Sequence, residues 1–412
     1  LFANGGVADP KELPGLASIT GAMLQEGTES RSNKDIAEEF ESIGSRLAVH
    51  TGKEQTSLAV SVLSREWPAA LNLVGDLVTH AVFPEEELVR LRKEFIMDLR
   101  RMQDEATAVA NRESAMLLYG KESPYGHFVL GTESSLEKIT RGDLLDHFQH
   151  TFSPKAATLA VAGDVSLEEA IEVAQKTFGV WNATSPQTPN PRRDQLGKGV
   201  DVPSNSTTIY LLDKPGAAQS VIRAGILGVP RNHPDYFPLI VLNHVFGGQF
   251  TARLNMNLRQ DKGYSYGYSS WIEWHNKSSA IMAGGSVQTA VTAPAVAETL
   301  QEFEEITTSR PVQENEFQAA RAALLRGYPS TFETPWQILN HMGSVVRFRL
   351  PPEYLTTYPT RIEGVTLMDI RRVASERLSR DHLTVLIIGD RTECESSLRD
   401  LGMGLVILNG NT

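Results

Sequence analysis

Two side chains have types and spacing that could do chemistry together, Arg259 and Tyr266. They lie in the stretch GGQFTARLNMNLRQDKGYSYGYSS, from Gly247 to Ser270. A guanidinium holds five N–H donors in a rigid fork, and a phenol adds one O–H. Donors of this kind can grip a carbonyl and stabilise negative charge developing on its oxygen. Neither group supplies a base or a nucleophile at neutral pH, so any reaction the pair serves needs a partner group; taken alone, an arginine at a helix end near a tyrosine more commonly has a structural role. Tyr264 and Tyr268 alternate with Tyr266 along the same run and compete for the role.

The surrounding elements must place the pair. Phe250–Arg259 is compatible with a helix, Gly263 breaks it, and Tyr264–Tyr268 alternates aromatic and small residues as a strand does. Gly247-Gly248 lacks a phosphate-binding glycine pattern and reads as a tight strand-to-helix turn.

At 412 residues the chain is too long for one ordinary core. Hydrophobic residues at 41% and charged residues at 22% are ordinary for a globular protein, and no apolar run is long enough to span a membrane. A net charge of −11 argues against nucleic acid as a partner. The single cysteine, Cys394, excludes an intrachain disulfide and a thiolate metal cluster. LFANGG at the start reads as the end of an apolar strand entering a glycine turn, so a first strand and any signal peptide are expected upstream.

In order, the periodicity predicts helices over 14–27, 32–45 and 66–82, with Ser32 as an N-cap. Strands are expected around 46–51 and 56–63. One long charged helix is expected from Glu85 to Gly120, a loop over 121–131, and a helix or helix pair over 135–152. A buried strand over 158–163 and a helix over 166–178 close the unit. Asn182–Pro203 is rich in Pro, Asn, Ser and Gly and reads as a linker.

The second half repeats the first. Gly163-Asp164 recurs as Gly389-Asp390, Pro68 as Pro294 and Pro84 as Pro311, all at an offset of 226 or 227. The chain is therefore expected to be α+β, with two homologous duplicated domains, each a mixed β-sheet carrying helices. Their bounds are 1–185 and 204–412, joined by a linker over 186–203. The offset aligns the helix Gly15–Gly27 with the region around Gly248–Asn255, which directs attention to the first helix of the other half.

GLASITGAMLQEGT near the start, SPYGHFVLGTESSLEKIT in the middle and LNHVFGGQFTARLNMNLRQDKGYSYGYS in the second half resemble the M16 metallopeptidases. That pitrilysin-type inverzincin family includes the mitochondrial processing peptidases and the core proteins of the cytochrome bc1 complex. The resemblance covers essentially the whole chain and implies the M16 fold, in the form whose active unit is built from two such chains. The family's zinc motif, H-x-x-E-H on the first helix, falls on Ser18, Gly21 and Ala22, and its third ligand, a glutamate, falls on Asp98. Neither imidazole nor the water-activating carboxylate is present at those positions. The family's Arg/Tyr pair falls on Arg259 and Tyr266, in the pattern L-R-x-x-x-G-x-x-Y.

The resemblance thus implies a non-zinc-binding M16B-type subunit, inactive alone. It would pair as a heterodimer with an H-x-x-E-H homologue that carries Zn²⁺, and supply Arg259 and Tyr266 in trans to peptide substrates. No cofactor is expected in this chain, and a bacterial, periplasmic setting is expected. A purely structural subunit like the bc1 core proteins is the alternative, and a self-sufficient hydrolase with another metal site is a third reading. His147 and His150, with Asp143 and Asp146, could make a surface metal site, but a solvated helix face is the simpler reading. His127 reads as part of a structural loop, and Glu85–Glu87 and Glu302–Glu305 as solvated helix faces.

Overall fold

A computed structural model describes residues 1–181 and 206–408. The chain divides into two compact units that are each discontinuous in sequence. One comprises residues 1–101, 122–199 and 332–349; the other comprises 102–121, 200–331 and 350–412. The expected bounds, 1–185 and 204–412, run straight through this exchange of segments. The expected linker lies outside the described residues.

In the first unit, helix α1 (Leu16–Met23) buries Leu16, Ile19 and Met23. Its N-terminus is capped from a distance: both carboxylate oxygens of Asp9 accept backbone N–H bonds, from Gly15 and Ala17, at 2.8 Å. A buried anion suits the positive end of a helix. Helix α2 (Asn33–Ser42) begins at the expected Ser32, which forms a capping box with Asp35. Strands β1 (Ala48–Thr51) and β2 (Thr56–Ala59) pair antiparallel. Helix α3 (Trp67–His80) follows, then α4 (Glu85–Asp104), which buries Leu88, Leu91 and Leu99.

Two expectations fail here. The long helix is broken at Glu105, which is extended (φ −94°, ψ 101°), and a separate helix α5 (Ala106–Tyr119) begins after it. The break lets the chain change cores, since α4 belongs mainly to the first unit and α5 to the second. The strand over 158–163 does not form either. Ala157 makes a single bridge to Phe2, Thr158 donates to the Leu1 carbonyl, and Leu159 is 45% exposed. Phe2 is shared with Thr56, so this pairing never extends into a ladder. Helices α6 (Glu133–Lys138), α7 (Arg141–Thr151) and α8 (Leu167–Phe178) match expectation closely.

The second unit is built on a six-stranded mixed sheet. Its strands are β3 (Thr208–Asp213), β4 (Gln219–Gly228), β5 (Ser265–Trp274), β6 (Ser279–Gln288), β7 (Thr384–Gly389) and β8 (Gly404–Leu408). They lie in the order β5-β6-β4-β7-β3-β8. β7 reads TVLIIG, an unbroken apolar run, because both of its faces are covered. Val385 and Ile387 join the main core with helices α9 (Tyr236–Phe246) and α10 (Thr292–Thr307). Leu386 and Ile388 meet Ala110 of α5 on the other face. Arg223 of β4 is buried and donates through Nε to Asn111 Oδ1 of α5 at 3.0 Å. Against the expected internal alignment, the region around 248–255 is a turn with a three-residue helix, Arg253–Asn255; the full helix in this part of the chain is α9.

Candidate functional site

The site residues of the second unit sit between the end of α9 and the start of β5. The double glycine ends a helix, where a strand had been expected to enter one. The N–H groups of Gly247 and Gly248 both donate to the Asn243 carbonyl, at 3.0 and 2.7 Å. A Cβ on Gly247 would stand 2.4 Å from the Ser270 backbone nitrogen, so only glycine lets the turn lie this close to β5. Ser270 N–H donates to the Gly247 carbonyl, and the Ser270 hydroxyl bonds the Asn243 side chain at 2.8 Å.

Buried Asn255 continues this stitching. Its Nδ2 donates to the Phe250 carbonyl at 2.7 Å, and its Oδ1 accepts from Tyr268 N–H at 3.2 Å. One amide therefore ties the loop before the helix to the strand after it. Arg253, also buried, forks onto Glu316 at 2.7 and 2.6 Å and donates to the Arg310 carbonyl at 2.5 Å. Its donors are spent on holding the fold.

Met256–Asp261 forms a π-helical turn, a geometry found often at functional positions. Gly263, with φ of 66°, ends it. A polar cleft of about 720 Å³ lies along the turn, lined by Asn257, Lys262, Glu298 and Glu302 among others. Lys262 pairs with Glu298 at 2.7 Å and Arg310 with Glu302 at 2.6 Å, and the lining is acid-rich, with Asp261, Glu305 and Glu316 beside these pairs and Arg253. Glu302, read from sequence as part of a solvated face, is 1% exposed and paired there. Arg259 stands on the same turn and is half-buried. It makes no hydrogen bond or ion pair with any described residue; its guanidinium carbon lies 4.6 Å from the centre of the Phe250 ring.

The three tyrosines separate clearly. Regular alternation would send Tyr264, Tyr266 and Tyr268 to one face, but the β5–β6 register shifts between Ser265 and Tyr268. Ser265 pairs with Val287 and Tyr268 with Gly285, so β5 holds one extra residue in a β-bulge. The Ser265 hydroxyl accepts from Gly267 N–H at 3.1 Å and reaches the carbonyls of Gly267 and Ser286 at 2.7 and 2.8 Å. Tyr268 points into the core at 1% exposure, its hydroxyl 2.8 Å from that of Thr299, and burial pushes its pKa up to about 12. Tyr264 packs partly against the same core. Tyr266 is 86% exposed, with its hydroxyl bonded to no described residue.

The first unit holds the positions of the degenerate zinc motif. Ser18 is buried and its hydroxyl donates to the Val129 carbonyl at 2.6 Å. Gly21 packs so close to β1 that a Cβ would meet Thr51 Oγ1 at 2.8 Å. Asp98 is 54% exposed and paired with Arg101 at 3.1 Å. A hydroxyl already engaged, a glycine and an alanine do not fit a zinc ion, which takes imidazole, thiolate or carboxylate ligands.

The other histidines serve the fold. His147 is buried, against the expectation of a solvated face, and its Nε2 lies 3.3 Å from Thr151 Oγ1. Burial first, and neighbouring His150 second, push its pKa down to about 4. His150 is exposed beside Asp146, and Asp143 caps α7 through Thr140. These four residues have separate tasks.

A family profile described as the Peptidase M16 inactive domain matches residues 138–324, and one described as Insulinase (Peptidase family M16) matches residues 1–123. The chain belongs to the M16 peptidase family. It is 28% identical over 287 residues to an uncharacterized zinc protease, YmxG, of Bacillus subtilis, covering 69% of this chain and 67% of that protein. It is 24% identical over 403 residues to a probable mitochondrial-processing peptidase subunit beta of Schizosaccharomyces pombe, covering 93% and 84%. A solved peptidase M16 inactive domain from Pseudomonas fluorescens has the same fold, with a TM-score of 0.83 at 22% identity, over 94% of this chain and 91% of that one. For the first curated zinc-protease relatives the matched stretch spans only 60% to 67% of their length. No helix among the described residues is long and apolar enough to cross a membrane.

Sequence reasoning overlooked Phe250, Asn255 and Ser265. Ser-x-Gly inside an aromatic run was the available signal for a bulge, since glycine in a strand often marks one.

Proposed function

We propose that this chain is the non-zinc-binding subunit of a heterodimeric M16B-type zinc peptidase, inactive alone and completed by an H-x-x-E-H homologue. Arg259 binds the substrate backbone, and Tyr266 donates to the oxyanion of the tetrahedral intermediate. The observation that carries this reading is the uncommitted state of both donors. Arg253 and Tyr268, close by in the chain, are locked into the fold, whereas Arg259 and Tyr266 bond to no described residue. A half-buried guanidinium without a carboxylate and a fully presented phenol serve folding poorly and suit an incoming carbonyl well.

Zinc and the attacking water belong to the partner, because Ser18, Gly21 and Ala22 provide neither. This chain contributes donors carried on a bulge and a π-turn, whose backbone is set before substrate arrives. The test is reconstitution of the two-chain peptidase. Arg259→Ala or Tyr266→Phe should lower turnover of a quenched fluorescent peptide by about 10²–10³-fold, the usual effect of removing one oxyanion donor. The zinc content of the assembly should not change. Full activity in both variants would refute the active-site role and leave a structural subunit.

A further inference from the structure

Arginines of this protein are held in several ways: Arg90 by Glu26, Glu87 and Glu94, Arg253 by Glu316 and Arg372 by Asp235, Arg92 and Arg141 by backbone carbonyls, and Arg321 over the Phe317 ring. Arg259 is held by an aromatic face. Its guanidinium carbon is 4.6 Å from the Phe250 centroid, within the range of a cation–π contact. The difference matters for a group that must recognise a carbonyl. A carboxylate would occupy two N–H donors and offset the charge; a ring face restrains the plane of the guanidinium and leaves all five donors at its edge.

Phe250 is otherwise hard to account for. It is 56% exposed and belongs to neither main core. Its backbone is nonetheless fixed, because its carbonyl accepts from buried Asn255 and the preceding turn is pinned to β5 through Gly247 and Ser270. A large apolar side chain exposed on an anchored backbone, with a charged neighbour on its face, is placed for that neighbour.

We infer that Phe250 is a positioning residue for Arg259. It orients the guanidinium toward substrate without consuming its donors, an inference that rests on the role proposed for Arg259. Phe250 itself need not touch the substrate. The contact is worth a modest amount at an exposed site, so Phe250→Leu should lower kcat/KM of the reconstituted peptidase about two- to five-fold. Because the contact acts on binding of the substrate backbone as well as on the intermediate, KM should rise while zinc content stays constant. Phe250→Tyr, which keeps the ring face, should restore the value.

The deciding measurement is a double-mutant cycle on a quenched fluorescent peptide. If Phe250 works through Arg259, then Phe250→Leu adds no loss in an Arg259→Ala background. Independent, multiplicative losses overturn the inference. An unchanged Phe250→Leu enzyme beside a crippled Arg259→Ala enzyme overturns it too, while sparing the role of Arg259; an unchanged Arg259→Ala enzyme overturns that role instead. A readout on this chain alone covers variants that assemble poorly. The Arg259 Nε–H resonance should be shifted by the Phe250 ring current, and should lose that shift in Phe250→Leu but keep it in Phe250→Tyr. An Arg259 signal that does not respond to Phe250→Leu overturns the inference.

Discussion

Arg253 and Arg259 lie six positions apart and have opposite fates, and the same holds for Tyr266 and Tyr268. In each pair one side chain is consumed by the fold and the other is presented. The spacing L-R-x-x-x-G-x-x-Y singles out Arg259 and Tyr266 as a candidate pair, but not the reason Tyr266 stands apart from its neighbours. That reason is the bulge closed by the Ser265 hydroxyl, and a run of alternating tyrosines reads as regular strand unless the Ser-x-Gly within it is weighed. Ser265→Ala removes the hydroxyl that ties Gly267 N–H and the neighbouring carbonyls. A hydrogen bond of this kind is worth about 1 kcal/mol, so, on the function proposed above, turnover of the reconstituted peptidase should fall about five-fold. Ser265→Thr, which keeps the hydroxyl, should retain activity. Equal rates for wild type and Ser265→Ala would mean that the strand pairing alone holds Tyr266.

Helices with strong caps and clear periodicity were legible from sequence, and α2, α7 and α8 start within a residue or two of their polar N-caps. Elements decided by distant partners were not. The break at Glu105 lies inside an unbroken run of helix formers, and only the change of core explains it. TLAVAG has the composition of a strand but lacks a long enough neighbour. His147 belongs to the same class: its helix looked polar, yet its side chain is enclosed. With its pKa near 4 when folded and an ordinary value of 6.5 when unfolded, the unfolded chain takes up the proton first as pH falls. Stability from this residue is therefore complete above about pH 6.5 and declines toward pH 4, by on the order of 2–3 kcal/mol. Urea unfolding at pH 7 and pH 4.5 should show a smaller acid loss in His147→Gln than in the wild type. The same acid loss in both proteins would assign the effect to other groups.

At the scale of the molecule, the repeat and the family resemblance led to two α+β halves, but not to the way the chain is shared between them. Segment 102–121 lies in the first half by position and in the second unit by contact. A fragment spanning 204–412 would therefore leave Val221, Leu386 and Ile388 facing solvent where α5 had covered them. Such a fragment should bind a hydrophobic dye and aggregate, and a version with residues 102–121 fused ahead of it through a Gly/Ser linker should do neither. A soluble, dye-silent fragment without α5 would show that the sheet manages alone. The same threading sets an order of events during synthesis. α5 (Ala106–Tyr119) leaves the ribosome before β4 (Gln219–Gly228) and well before β7 (Thr384–Gly389), so the face it covers is incomplete until β7 has been made. Buried Arg223 can meet Asn111 once β4 is made, whereas Leu386 and Ile388 reach Ala110 only after β7, so full closure of that sheet face is a late step.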